Sequence, residues 1–140
     1  STPTTFIDAT HNPHGAQALA AALANDFDFA RLIGVLGILG DKDALGVLQA
    51  LEPVLSEVVI TQNSSPRATD AYELAEIARD VFGEERVHVE EHLPSAYTLA
   101  VELAEEALEA VGVQSGSGVI ITGSVVTAGE ARAMFGKDPE

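Results

Sequence analysis

The 140-residue chain has no cysteine and no tryptophan. Disulfides and thiolate metal sites are therefore excluded, and nothing calls for an oxidising compartment. Basic residues are scarce, 7 Lys plus Arg against 22 Asp plus Glu, for a formal net charge of −15. Binding to nucleic acid or an anionic membrane through a basic face is not expected, because such binding rests on many cation–phosphate pairs. No apolar run approaches the roughly 20 residues of a membrane helix. The start Ser1-Thr2-Pro3-Thr4-Thr5 has neither the basic nor the apolar region of a secretory leader, which leaves a cytoplasmic location as the expectation. The start also lacks Met, which fits a truncated product or a fragment of something longer.

What the chain does have is apolar residues, 46% of the total, enough for one sizeable core. A single domain over residues 1–140 is the expectation. Short β-branched runs alternate five times with segments of helical spacing. The expected strands are Thr4 to Asp8, Arg31 to Leu36, Val58 to Gln62, Arg86 to Val89 and Val119 to Thr122, continuous in apolar character as in strands covered on both faces. Between them Leu19 and Leu23, then Leu45, Leu48 and Leu51, then Leu74, Ile77 and Val81, then Leu99, Leu103 and Ala107 recur every three or four residues as buried stripes. Asp70 with Glu73, and Thr127 with Glu130, have capping-box spacing, while Gly83 and Gly112 fit C-caps. Gln114 to Gly118 reads as an ordinary connection, and Glu102, Glu105, Glu106 and Glu109 as a solvated helix flank. The pattern predicts an α/β fold: a doubly wound, mainly parallel sheet of five strands with helices on both faces.

In such a sheet right-handed crossovers put every strand-to-helix turn on one edge. The polar singularities fall there: Asp8, His11 and Asn12 after the first strand; Gly37, Gly40, Asp41, Lys42 and Asp43 after the second; Asn63, Ser64, Ser65 and Arg67 after the third; Gly123, Ser124 and Thr127 after the fifth. The opposite turns hold mainly Glu, Gly and Pro. Asn12 fits an N-cap and Pro13 the first helical position, so the exposed N–H groups of that helix favour a phosphate or carboxylate. Asp8 either caps its own turn or meets a ligand. His11 and His14 lack a third ligand nearby, so no metal site is assigned. Lys42, one of two lysines, stands at a helix start where the macrodipole disfavours a cation. Either Asp41 and Asp43 compensate it or an anionic ligand does. His88 and His92 have no matching carboxylate evident in the sequence and receive no role.

Neither G-x-x-x-x-G-K-[ST] nor G-x-G-x-x-G occurs, since Gly136-Lys137 precedes Asp138 and lacks the upstream glycine. No nucleophile elbow is present either. The chain is thus expected to carry a partial site rather than a complete P-loop or dinucleotide site.

The segments Asp8-Ala9-Thr10-His11-Asn12-Pro13-His14-Gly15, Gly37-Ile38-Leu39-Gly40-Asp41-Lys42-Asp43 and Thr122-Gly123-Ser124, with Gly129-Glu130 beyond, occur in the order and spacing of a known family. They resemble the C-terminal domain of folylpolyglutamate synthase/dihydrofolate synthase, a relative of the Mur peptide ligases. The resemblance implies an ATP-dependent ligase that joins glutamate to folate or dihydropteroate through an acyl phosphate. It implies ATP as cosubstrate, with Mg2+ bound mainly by an N-terminal ATPase domain of the same polypeptide, and a chain that is monomeric and inactive alone. Carried over residue by residue, Asp8 would contact the nucleoside, His11 would lie near the phosphates and donate to a phosphate oxygen whether charged or neutral, and Asn12 would shape the nucleotide side. Lys42 and Ser124 would hold the carboxylate of the incoming amino acid, with His11 and Lys42 serving catalysis. Thr10 stands where the family usually has Ala, and Val125-Val126-Thr127-Ala128 replaces a more aromatic run. Two other readings stay open: a free-standing phosphate or amino-acid binding module, and a Mur-type domain for cell-wall peptides.

Overall fold

The computed structural model describes residues 3–26, 29–111 and 116–136, the side chains of 30 and 107–111 excepted. Five strands are hydrogen-bonded in one parallel sheet: β1 (Thr4–Ile7), β2 (Phe29–Leu36), β3 (Glu57–Ile60), β4 (Val87–Val89) and β5 (Gly116–Thr122). The helices are α1 (Pro13–Asp26), α2 (Ala44–Leu51), α3 (Ala71–Phe82), α4 (Leu93–Val111) and α5 (Val125–Gly136). Every strand expected from the sequence forms, with ends moved by a few residues. The largest move is at β5, which starts at Gly116, so the end of the expected connection is strand. Gly112 and Gln114 lie outside the described residues.

The strand order is β1-β5-β2-β3-β4. From β1 through β4 the chain advances in one direction across the sheet, so right-handed crossovers place α1, α2 and α3 on the same face. From β4 it returns to β5, which puts α4 on the opposite face. The core divides accordingly. Ala16, Leu23, Leu48, Leu51, Leu74 and Phe82 pack on Leu32, Leu36, Val58, Ile60 and Ile120, whereas Leu93, Ala96, Ala100, Leu103 and Ala131 pack on Ile33, Val35, Val59, Val119 and Ile121. Alternate residues of each central strand point to opposite faces, and both faces are covered, which accounts for their uninterrupted apolar sequence.

Two local expectations need correction. Leu45 is not part of a buried stripe; it is 45% exposed, and α2 buries Ala44, Val47, Leu48 and Leu51 instead. Thr127 does not cap α5. The helix begins three residues earlier, with Thr127 N donating to Ser124 Oγ at 2.8 Å, and Glu130 accepts from Ser64 N at 3.0 Å. Asp70 does cap α3, accepting from Tyr72 N and Glu73 N, and Gly83 ends that helix at φ +86°. Among the described residues, no helix is long and apolar enough to cross a membrane.

Candidate functional site at the carboxyl edge

The topology defines where a ligand would fit. β5 leads to α5 on one face, whereas its neighbours β1 and β2 lead to α1 and α2 on the other. Connections that diverge in this way leave a crevice at the carboxyl ends of the strands. Backbone hydrogen bonds join the loops around it. Gly123 N donates to Thr10 O at 3.1 Å, and Gly37 N to Thr122 O at 3.3 Å; Gly40 N donates to Arg67 O at 2.7 Å, and Thr69 N to Ile38 O at 3.0 Å. Gly123 has φ +116°, and a Cβ there would stand 2.6 Å from Gly37 O, so this juncture requires glycine. Gly46 allows a second close approach, since a Cβ there would stand 2.6 Å from Pro13 Cγ. The starts of α1 and α2 therefore lie against each other.

The turn after β1 holds itself. Asp8 Oδ1 accepts from Thr10 N at 2.7 Å, His11 Nδ1 lies 3.1 Å from Ala9 O, and Asn12 Oδ1 accepts from Gly15 N at 2.8 Å. Asp8 thus does cap its own turn, with its second carboxylate oxygen carrying no partner among the described residues. A carbonyl only accepts, so Nδ1 of His11 bears the proton. Nε2 of the neutral ring is then an acceptor, and only the imidazolium can donate from it to a phosphate oxygen.

On the turn after β2, neither neighbouring aspartate makes a salt bridge with Lys42, although the Lys42 charge is felt at Asp41. Asp41 accepts from Arg67 Nη2 at 2.8 Å, and Asp43 accepts from Gly46 N at 2.9 Å as the N-cap of α2. The Arg67 hydrogen bond holds the Asp41 carboxyl below the usual carboxylate range. Half-buried Lys42 has no salt bridge among the described residues.

Ser124 is placed differently from the carry-over. It is fully buried, its hydroxyl accepts from Thr127 N and from Asn63 Nδ2 at 3.2 Å, and it donates to Thr127 Oγ1 at 3.1 Å. Its hydrogen-bonding capacity is used inside the protein. Asn63 also donates to Thr127 Oγ1 at 3.0 Å, and Thr127 donates to Gly37 O at 2.8 Å. This buried network joins the turns after β2, β3 and β5. Asn63 and Thr127 stood among the polar residues of the expected edge; their link to each other depends on tertiary structure.

A cavity of about 510 Å3 opens beside the network, lined in part by Gln62, Asn63, Ser64, Glu91, His92 and Glu130. None of Asp8, His11, Asn12, Lys42 and Ser124 lines it. Away from the edge, Glu57 accepts from Arg31 and, at 2.5 Å, from His88 Nε2, while Arg31 Nε donates to Leu103 O at 3.2 Å. His88 therefore does have a carboxylate, supplied by the adjacent strand. Burial, with the Arg31 charge adding to it, pushes His88 below the ordinary imidazole range. Among the described residues, no group of three or more His, Asp or Glu side chains could hold a metal ion.

The fold is an open parallel α/β domain whose loops are joined at the carboxyl ends of its strands. Comparison with known proteins makes this specific: the model of the family "Mur ligase, glutamate ligase domain" matches residues 1–125, and the chain belongs to that family. It is 53% identical to the dihydrofolate synthase/folylpolyglutamate synthase of Mycobacterium tuberculosis, over 100% of this chain and 30% of that protein. The M. tuberculosis folylpolyglutamate synthase crystallised with ADP superposes with a TM-score of 0.94 at 54% identity, over 99% of this chain and 31% of the other. A bifunctional folylpolyglutamate synthase/dihydrofolate synthase with Mn, AMPPNP and L-glutamate bound gives a TM-score of 0.75 at 26% identity, over 94% and 29%. The chain thus spans about 30% of the length of the curated relative that it matches throughout.

Proposed function

We propose that this chain is the C-terminal domain of an ATP-dependent ligase that adds glutamate to a folate or dihydropteroate carboxylate. It closes over nucleotide held by an N-terminal ATPase domain of the same polypeptide, and the isolated chain is inactive. In the reaction, a substrate carboxylate oxygen attacks the γ-phosphorus of ATP, ADP leaves, and an acyl phosphate forms. The glutamate amine then attacks the acyl carbon, phosphate departs, and the amine loses its proton. Mg2+ would be held by the N-terminal domain.

The observation that carries this reading is half-buried Lys42 at the switch-point edge, without a salt bridge among the described residues while Asp41 pairs with Arg67 and Asp43 caps α2. An incoming carboxylate would supply its counter-charge. The free oxygen of Asp8 would accept from ribose hydroxyls, and protonated His11 would donate Nε2–H to a phosphate oxygen. Asn12 would shape this turn through its cap. Closure of the edge would exclude water from the acyl phosphate and orient the amine, lowering the barrier by positioning. Ser124 would act from within, by fixing the start of α5. Leu45 and Tyr72, in the first turns of α2 and α3, and Val125, the first residue of α5, are exposed on this edge and would meet the N-terminal domain.

The test is ADP release by the full-length polypeptide with MgATP, dihydropteroate or a reduced folate, and glutamate, beside His11→Ala. Turnover should require both folate and glutamate and should collapse in the variant. Absence of such turnover would favour a binding module, and turnover only with cell-wall peptide precursors would reassign the substrate.

A further inference from the structure

Asn63 sits at the end of β3, yet its amide reaches past the end of β2 to the first turn of α5, and it is 5% exposed. The direction of every hydrogen bond in this network is fixed. An amide NH2 has only protons to offer, so Ser124 Oγ and Thr127 Oγ1 must both accept from it. Each hydroxyl proton is thereby turned away from Asn63: that of Ser124 goes to Thr127 Oγ1, and that of Thr127 to the carbonyl of Gly37. Gly37 opens the seven-residue turn, numbers 37–43, that carries Lys42. Asn63 Oδ1 accepts from Ser65 N at 2.9 Å, so the turn after β3 is fixed by the same side chain. The Ser124 and Thr127 hydroxyls and the Asn63 amide are satisfied and enclosed, a condition under which a polar network selects one arrangement of its loops.

Resting on the ligase reading above, we infer that Asn63 and Thr127 are positioning residues for the amino-acid side of the reaction. They touch no reactant. They set the start of the Lys42 turn against the start of α5, and so fix where Lys42 presents its charge. The nucleotide side does not depend on them to the same degree, because Asp8, His11 and Asn12 each make a hydrogen bond within their own turn. Loss of the network should therefore be felt by glutamate and not by ATP.

The variants are Thr127→Val, which keeps the shape and removes the hydroxyl, and Thr127→Ser, which keeps the hydroxyl. Both are made in the full-length ligase and assayed by ADP release against glutamate and against ATP, with thermal melting alongside. Thr127→Val should raise the glutamate KM by roughly two- to tenfold, the range of one buried neutral hydrogen bond, with the ATP KM unchanged. Thr127→Ser should stay near wild type. An unchanged glutamate KM in Thr127→Val, a parallel rise in the ATP KM, or a Thr127→Ser that behaves like Thr127→Val would each overturn the inference. Should Thr127→Val melt below the assay temperature, Asn63→Ala must give the same glutamate-only rise, and an unchanged value overturns the inference there. A wild-type enzyme without folate- and glutamate-dependent turnover would overturn the ligase reading and this inference with it. Wild-type turnover combined with insensitive variants would overturn the positioning role alone.

Discussion

Replacing Gly123 by alanine tests whether the carboxyl edge is held together as described. The residue has φ +116°, outside the regions that L side chains occupy, and the new Cβ would stand 2.6 Å from Gly37 O and 3.0 Å from Ile38 Cγ1. The backbone strain is of order 1–3 kcal/mol, and forcing a methyl into a closed contact costs a further 1–3 kcal/mol or so. Both are relieved by one movement, separation of the turns after β2 and β5, so they overlap. A loss of about 3 kcal/mol follows, or roughly 10 °C in melting temperature for a chain of this size. Gly129, six residues on within α5, is the internal control: a Cβ there meets nothing within 4 Å. Alanine at that position should stabilise the protein by about 0.5–1 kcal/mol, since glycine is the poorer helix former. Urea unfolding of both variants beside wild type gives the two signs in one experiment. A Gly123→Ala protein within about 1 kcal/mol of wild type would refute the close-approach argument, because neither cost could then be present at the size expected.

Three further outcomes are expected. His88 is held below the ordinary imidazole value of 6.5 by burial and by Arg31, with Glu106 acting in the opposite direction. The unfolded chain therefore binds this proton more tightly, so its contribution to stability is complete above pH 6.5 and is lost as pH falls through the lower folded value. Denaturant midpoints between about pH 7 and 5 should decline less steeply in His88→Gln than in wild type; equal slopes would exclude His88 as the source. Lys42→Ala should leave the melting temperature almost unchanged, since no ion pair is lost, while raising the glutamate KM of the full-length ligase more than the ATP KM; equal rises would argue for a structural lysine. Asp8→Asn keeps an oxygen for the Thr10 hydrogen bond and so preserves the turn. It should raise the ATP KM with the fold intact, and an unchanged ATP requirement would remove Asp8 from the nucleotide site.

Most of the architecture was readable because strands buried on both faces need continuous apolar sequence, and such runs stand out between helical stripes. The edge was readable for a related reason: turns on one side carried Asp, His, Asn, Lys and Ser, and those on the other mainly Glu, Gly and Pro. Contacts across elements were not readable. The carboxylate for His88 comes from Glu57 on the neighbouring strand, and the register that joins them is not encoded near either residue. Leu45 has the spacing of a core residue and is exposed, since the face that α2 turns inward carries Ala44, Val47, Leu48 and Leu51 instead. The capping box at Thr127 failed because Ser124, three residues earlier, offers the same chemistry, and the tight glycine turn after β5 starts the helix there.

These tertiary contacts also explain how a short, polar edge can be rigid before any ligand arrives. In the turn after β1, Asp8, His11 and Asn12 each commit one side-chain atom to the loop: Oδ1 to Thr10 N, Nδ1 to Ala9 O, and Oδ1 to Gly15 N. Each has a second polar atom with no partner among the described residues. Lys42 shows the same division by other means, since Asp43 and Asp41 secure its loop to Gly46 and Arg67 while the ammonium makes no salt bridge among the described residues. Fixing one atom of a side chain restricts the rotamers of the other, so much of the ordering cost of ligand binding is met during folding. The carboxylate–guanidinium pair of Asp41 and Arg67 therefore matters less as a surface salt bridge, a class with small energies, than as a brace that ties the turn carrying Lys42 to the turn after β3.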